Sequence, residues 1–150
     1  MNDHTLAPLL LSLYTKSGSE AVLQYQSFFP GNRLVGGKYH LGTHTVTLYI
    51  EVIKQQCLQL FGTLERLQDY ALVVLAHELG HAEDDELPLL ADQLEAAATQ
   101  LERDRTALKI EENAWRFAKE LLTDIEPAFF DEVAEQSLFS YRTAINLQTA

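Results

Sequence analysis

The sequence predicts an α+β fold, with one mainly helical domain and a small antiparallel sheet. Apolar residues recur at steps of three and four along most of the chain, which is the period of a helix with one buried face. Only the region from Arg33 to Ile50 shows the alternation of period two that is typical of strands. A length of 150 residues and a hydrophobic fraction of 47% are typical of one domain with a substantial core.

In the first part of the chain we expect a helix over residues 3–29, which the segment 16–19 can divide into two shorter helices. Pro30 and Gly31 then predict a turn. Residues 33–50 are expected to form two or three antiparallel strands, the last of which leads directly into the helical part. A further helix is predicted over residues 51–61.

The next helix is predicted to begin at Thr63 as N-cap and to bury a stripe of side chains at helical spacing. The stripe consists of Leu64, Leu67, Ala71, Leu75 and Leu79. Gly80 costs about 1 kcal/mol in a helix interior. Its presence in this helix indicates that another backbone approaches closely.

The second half of the chain is predicted to be helical. Residues 89–122 contain no Gly or Pro and are expected to form a long helix, with a possible break at residues 103–105. A final helix is expected over 130–141, with residues 144–150 loose. The apolar residues of the segment 127–150 must be buried, either against the other helices or over a cleft.

Composition restricts the class of partner and the compartment. The chain has 22 acidic and 11 basic residues and a net charge of −11, which argues against binding to nucleic acids or anionic membranes. A single cysteine, Cys57, permits no internal disulfide and favours a reducing compartment. The amino terminus lacks the basic region of a secretory signal, and no apolar stretch reaches the roughly 18 residues of a membrane span. We therefore expect a cytoplasmic protein. Nothing in the sequence predicts its oligomeric state.

The sequence His77-Glu78-Leu79-Gly80-His81 is an H-E-x-x-H motif within an apolar helix. Residues four apart lie on one helix face, so His77 and His81 can each offer a nitrogen to one Zn²⁺. Such an ion needs a third protein ligand and a water, whose pKa zinc lowers to about 7. Glu78 is placed to take the proton of that water as a general base. On an ordinary core helix, the two histidines would be difficult to satisfy.

The third ligand is expected on the long helix that follows. Glu111 shares a face with Ala114 and Ala118, and small residues on that face let two helices pack closely around one metal ion. Glu112 is the alternative, although it points about 100° away. Acidic residues at 84–86 could instead orient a ligating imidazole or form a solvated turn.

The two motifs together resemble those of the gluzincin metallopeptidases, which hold zinc with H-E-x-x-H on one helix and E-x-x-A on a later helix. More narrowly, the chain is similar to the ImmA/IrrE-type family and to the small single-domain enzymes called minigluzincins. The resemblance covers roughly residues 30–122. It extends beyond the E-x-x-A motif to Phe117-Ala118 and Leu121-Leu122. The family commonly has Asn or Asp where this chain has Trp115, and no helix-turn-helix repressor segment is visible.

The resemblance implies a single zincin-like metallopeptidase domain over residues 1–150. In it His77, His81 and Glu111 bind zinc, and Glu78 is the general base for hydrolysis of a protein or peptide substrate. Candidate donors to the developing oxyanion are Tyr141, Tyr49, His40 and His44. The alternative is a zinc-binding regulatory protein of peptidase-like fold that is weakly active or latent. In that case the carboxyl-terminal segment is expected to shield the cleft.

Overall fold

The computed structural model describes residues 3–31 and 33–149. Within these residues the fold is mainly helical with a three-stranded sheet, which confirms the predicted α+β class. In chain order the elements are α1 Asp3–Ser17, β1 Val22–Gln26, β2 Gly37–His40, β3 Thr45–Tyr49, α2 Ile50–Phe61, α3 Leu67–Ala82, α4 Leu87–Ala96, α5 Gln100–Leu121 and α6 Pro127–Thr149. A short 3-10 turn, Leu41–Thr43, links β2 to β3.

The sheet is mixed, with the strand order β1-β3-β2. β3 pairs with β2 in antiparallel fashion and with β1 in parallel, so the prediction of a purely antiparallel sheet is wrong. The tight turn between β2 and β3 favours an antiparallel hairpin, and β1 then adds to the other side of β3 in the opposite sense. All five residues of β3 are buried, as expected for the central strand.

The predicted helix over residues 3–29 is wrong beyond Ser17. Gly18 has a φ of +70°, a left-handed conformation that ends helices and that glycine adopts without strain. The following segment, Val22–Gln26, forms β1, because it pairs in register with Thr45–Tyr49 of β3. The region 33–50 is therefore not the only part of the chain that forms strands.

The predicted long helix is divided at residues 97–99, and residues 103–105 lie within the uninterrupted α5. Thr99 Oγ1 accepts a hydrogen bond from Glu102 N at 3.1 Å, which caps the amino terminus of α5. Glu102 Oε2 in turn accepts from Ala98 N at 3.0 Å. The spacing Thr99-x-x-Glu102 is that of a capping box, so the sequence does carry a signal for this break.

Other element ends also differ from those predicted. α3 begins at Leu67, while Thr63 accepts a hydrogen bond from Glu65 N in the preceding turn. α6 is longer than the predicted 130–141, and its last turns are not loose, since Gln148 donates a hydrogen bond to Asp104 on α5. Residue 150 of the predicted loose segment lies outside the described residues. The helix predicted over 51–61 is confirmed by α2.

α3 is the central helix, in contact with α1, α2, α5, α6 and the strands β2 and β3. Four residues of the predicted stripe, Leu67, Ala71, Leu75 and Leu79, are each at most 1% exposed, whereas Leu64 precedes α3 and is only partly buried. Because neighbours cover α3 on most sides, its polar residues must find partners inside the protein. Among the described residues, no helix combines the length and apolar character that crossing a membrane requires.

Candidate metal centre

The site is built where α3 and α5 pack backbone against backbone. A Cβ placed on Gly80 would lie 2.3 Å from the carbonyl oxygen of Ala114, so only glycine fits at this point of α3. Ala114 and Ala118 on the facing side of α5 are fully buried. The close approach predicted from Gly80 is therefore confirmed. It brings Glu111, one turn before Ala114, toward the two histidines of α3.

The Glu111 carboxylate lies between the two imidazoles of the H-E-x-x-H motif. Its Oε1 is 2.9 Å from His77 Nε2 and its Oε2 is 3.1 Å from His81 Nε2. Ligand atoms of a tetrahedral Zn²⁺ site, with bonds near 2.0–2.1 Å, lie about 3.3 Å apart. Each of the two distances from Glu111 to a histidine is within a few tenths of an ångström of that spacing. Imidazole and carboxylate donors are also the chemical types that zinc binds, so this side-chain set fits zinc.

Glu78 lies on the other side of His77. It is 5% exposed, and its Oε2 is 3.4 Å from His77 Nδ1. One donor atom each of His77, Glu78 and His81 lie within 4.8 Å of one another, so distance alone would permit Glu78 as a ligand. We favour Glu111 because its carboxylate reaches the Nε2 atoms of both histidines. Zinc ligation by this set, and the role of Glu78 as base, remain predictions.

Burial and charge shift the pKa values of these groups in opposite directions. Burial alone would lower the pKa of His77, but the charge of Glu78 and the hydrogen bond to Glu111 raise it to about 10. Burial alone would raise the pKa of Glu111, but the hydrogen bonds from His77 and His81 hold it well below its usual range. The metal-free site therefore holds a protonated imidazole against a carboxylate, an arrangement that a divalent cation can replace.

The alternative acidic residues are not placed to join the ligand set. Asp84 Oδ2 and Glu86 Oε1 accept hydrogen bonds from Asn113 Nδ2, at 3.2 and 3.4 Å. In the described part of the chain, neither carboxylate is bonded to His77 or His81. Asp85 is exposed, and Glu112, the neighbour of Glu111, does not take part in the contacts to the histidines.

Of the four candidate oxyanion donors, Tyr141 lines a cavity together with the predicted ligands. Tyr49 is 5% exposed and packs edge-on against Phe29. His40 accepts a hydrogen bond from Thr43 N, and His44 is bonded to the Tyr39 hydroxyl. Burial, followed by the negative charges of Glu111 and Glu78, raises the pKa of Tyr141, so its phenol stays protonated and able to donate.

Two cavities flank the candidate ligands, with volumes of about 340 and 400 Å³. Both are lined by Gly37, His77 and Glu78, and α6 contributes Ser137 to the smaller and Tyr141 to the larger. Glu78 therefore borders both cavities.

Two contacts at the site escaped the sequence-based predictions. A Cβ on Gly37 would lie 2.8 Å from Glu78 Cγ, so the β2 backbone rests directly against the predicted base. Trp115 stacks on the His77 imidazole, with ring centroids 4.4 Å apart. The pair Gly36-Gly37 at the start of a strand and the spacing Glu111-x-x-x-Trp115 were the available signals.

Comparison of the chain with models of protein families, with curated proteins and with solved structures gives no match. The function is therefore inferred from the geometry of this site. The donors come from two packed helices, they are mostly buried, and they open onto a cleft beside a sheet edge. Three imidazole and carboxylate donors beside an open cavity suit a metal ion that keeps one coordination position free.

Proposed function

We propose that the protein is a zinc-dependent peptidase of the gluzincin type, with a zincin-like fold resembling the ImmA/IrrE-type family and the minigluzincins. One observation carries the proposal. The carboxylate of Glu111, on α5, lies within 2.9 and 3.1 Å of the two H-E-x-x-H histidines on α3. A chance motif would not require a partly buried carboxylate from another helix at this point.

The chemistry follows from the positions of the side chains. His77, His81 and Glu111 would hold zinc, which supplies Lewis acidity that polarises a carbonyl and acidifies a water. Glu78 accepts the proton of the attacking water and passes it to the leaving amine. The Tyr141 hydroxyl has no hydrogen-bond partner among the described residues, so it is free to donate to the carbonyl oxygen as negative charge develops.

The sheet edge beside Glu78 supports a peptide as substrate. β2 is an edge strand, and its outer side is unpaired among the described residues. Gly37 of this strand contacts Glu78, so an extended chain that pairs with β2 would cross the site. The net charge of −11 makes nucleic acids and anionic membranes poor partners. Cys57 is a buried free thiol, which agrees with a cytoplasmic location.

The proposal is tested by comparing the wild type with Glu78→Gln and His81→Ala, using casein and a peptide library as substrates. Glu78→Gln should keep one zinc per chain and lose hydrolysis, because only proton transfer is removed. His81→Ala should lose both zinc and activity. Metal analysis of each purified protein accompanies the assay. Equal turnover by wild type and Glu78→Gln would contradict the enzyme assignment, and loss of zinc in Glu78→Gln would contradict the assigned roles.

A second function, a weakly active or latent zinc-binding regulatory protein, is favoured by the position of α6. This helix supplies Val133, Gln136 and Ser137 to one cavity at the site and Tyr141 to the other. These side chains border the two cavities beside Glu78 and so narrow the space open to a substrate. Stoichiometric zinc with no turnover of any peptide in the library would support this alternative.

A further inference from the structure

Trp115 is fixed between the candidate metal site and the final helix. It lies one turn after Glu111 on α5 and is 7% exposed. Its ring is stacked on the His77 imidazole, with centroids 4.4 Å apart and planes 21° from parallel. Phe130 of α6 contacts it edge-on at 5.7 Å and 73°. The indole thus packs against Phe130 of α6 and presents its flat face to the His77 imidazole.

We propose that Trp115 is a positioning residue for the metal site. Its ring holds the His77 imidazole in the orientation in which Nε2 shares a cation with His81 and Glu111. The proposal rests on the proposed zinc site, but it does not require peptidase activity.

The other close contacts of the His77 ring are with the predicted site residues themselves: Nε2 lies 2.9 Å from Glu111 Oε1, and the ring meets His81 edge-on with centroids 4.7 Å apart. A metal-ligating histidine usually donates its second ring nitrogen to a carboxylate or carbonyl that sets its orientation. Here the only group near Nδ1 among the described residues is Glu78 Oε2, at 3.4 Å, which is beyond the usual range for such a bond. Glu78 must also turn toward the attacking water in its role as base. The stacked Trp115 ring is then a restraint on the imidazole that belongs neither to the predicted ligands nor to the predicted base.

Packing alone does not account for tryptophan at this position. The Trp115 Nε1 atom is buried and has no hydrogen-bond partner among the described residues. A buried N–H without a partner costs free energy, and phenylalanine would fill much of the same space without that cost. The indole offers the largest and most electron-rich ring face. Such a face attracts an imidazole most strongly when the imidazole carries a proton or a metal ion.

The test compares zinc affinity in Trp115→Leu, Trp115→Phe and Phe129→Leu, measured by competition with a chromophoric chelator. Leucine keeps an apolar side chain without a ring face, and phenylalanine keeps a smaller face. Phe129 is the matched control, since it is 4% exposed and stacks on Phe61 rather than on a predicted ligand. We expect a loss of about 10- to 100-fold for Trp115→Leu, as for other residues that orient a ligand, and a smaller loss for Trp115→Phe. Phe129→Leu should bind zinc like the wild type, although it is less stable.

Two spectroscopic measurements separate positioning from general stability. Cobalt substituted for zinc should give an altered visible spectrum in Trp115→Leu and an unchanged one in Phe129→Leu. In the metal-free wild type, the ring protons of His77 should be shifted upfield by the indole, a measurement that requires no variant. Absence of that shift overturns the proposal. Equal zinc affinity and equal cobalt spectra in Trp115→Leu and Phe129→Leu would also overturn it.

The outcomes distinguish this proposal from the proposed function. Zinc binding that depends on Trp115, in a protein without peptidase activity, would remove the enzyme assignment and leave the positioning role intact. A wild type that binds no zinc would overturn both. Trp115 is the only tryptophan in the chain, so its fluorescence during a zinc titration gives a direct check of binding at His77.

Discussion

The contact between Gly80 and Ala114 determines how closely α3 and α5 approach, and Gly80→Ala tests it directly. A Cβ at Gly80 would lie 2.3 Å from the Ala114 carbonyl oxygen, 2.8 Å from its Cα and 2.9 Å from its carbonyl carbon. All three are backbone atoms, so no change of rotamer relieves the clash. To restore an ordinary contact of 3.4 Å, the helices must separate by 3.4 − 2.3 = 1.1 Å at this point.

For Gly80→Ala, helix propensity and the clash with Ala114 change the free energy of unfolding in opposite directions. In an unobstructed helix, Gly→Ala stabilises by about 1 kcal/mol. Forcing an extra methyl group into a packed interior costs about 1–3 kcal/mol, and more where the neighbour is rigid. Because the neighbour here is backbone, we expect Gly80→Ala to lower the free energy of unfolding by about 1–3 kcal/mol. Helix propensity alone would raise the free energy of unfolding of Gly80→Ala. A decrease would therefore show that the close approach of the two helices dominates the effect of the substitution.

The same displacement should disrupt the metal site. It would lengthen the distances from Glu111 to His77 and His81 from 2.9 and 3.1 Å to as much as 4.0 and 4.2 Å, by addition of 1.1 Å. Bonds of about 2 Å cannot join donors at that separation to one ion without strain. Loss of an orienting partner alone costs 10- to 100-fold in metal affinity. Partial loss of a ligand should therefore cost more than about 100-fold.

Urea unfolding of the metal-free proteins and zinc competition measure the two effects. Ala76→Gly is the control, since Ala76 lies one turn earlier on α3 and is fully buried. It should lose about 1–2 kcal/mol through helix propensity and a small cavity but keep its zinc affinity. If Gly80→Ala were more stable than the wild type and bound zinc equally well, the close-approach reasoning would be refuted.

Two further predictions concern protonation and catalysis. The pKa of His77 is raised to about 10 in the metal-free protein, so at neutral pH zinc must displace a proton. Zinc affinity should then increase about tenfold per pH unit between about pH 6 and 8. Calorimetry in two buffers of different ionisation enthalpy should detect roughly one proton released on zinc binding. A zinc affinity that does not change with pH would contradict this. Tyr141→Phe should lower kcat by about 10²- to 10³-fold with unchanged zinc content and KM, as for loss of an oxyanion donor. An unchanged kcat would exclude that role for Tyr141.

The candidate site was predictable because its parts depend on helical periodicity. His77 and His81 face one way since they are four residues apart, and Glu111 shares a face with Ala114 for the same reason. Gly80 predicted the close helix contact because no local feature of α3 explains a glycine there. Each of these inferences needs only the geometry of one helix at a time.

The sheet could not be predicted with the same success, because its pairing is not local. Val22–Gln26 becomes a strand through hydrogen bonds to Thr45–Tyr49, and the sequence around β1 alone is also compatible with a helix. The contacts of Gly37 with Glu78 and of Trp115 with His77 likewise depend on how separate elements pack. Residue spacing places Trp115 on the same helix face as Glu111, but it does not identify the group of another element that the indole contacts.

α6 combines three roles that a truncation cannot separate: it contributes to the core, it carries the proposed oxyanion donor, and it lines the cavities at the site. α6 buries five residues in the core, Phe129, Phe130, Val133, Ala134 and Leu138. Truncation after Leu122 removes all of them, so a loss of activity would follow from unfolding. Truncation near Ser140 keeps this core but removes Tyr141, the proposed oxyanion donor. Gln136 lines a cavity at the site without belonging to the buried core, so its substitution changes access to Glu78 while the fold and the proposed donor remain.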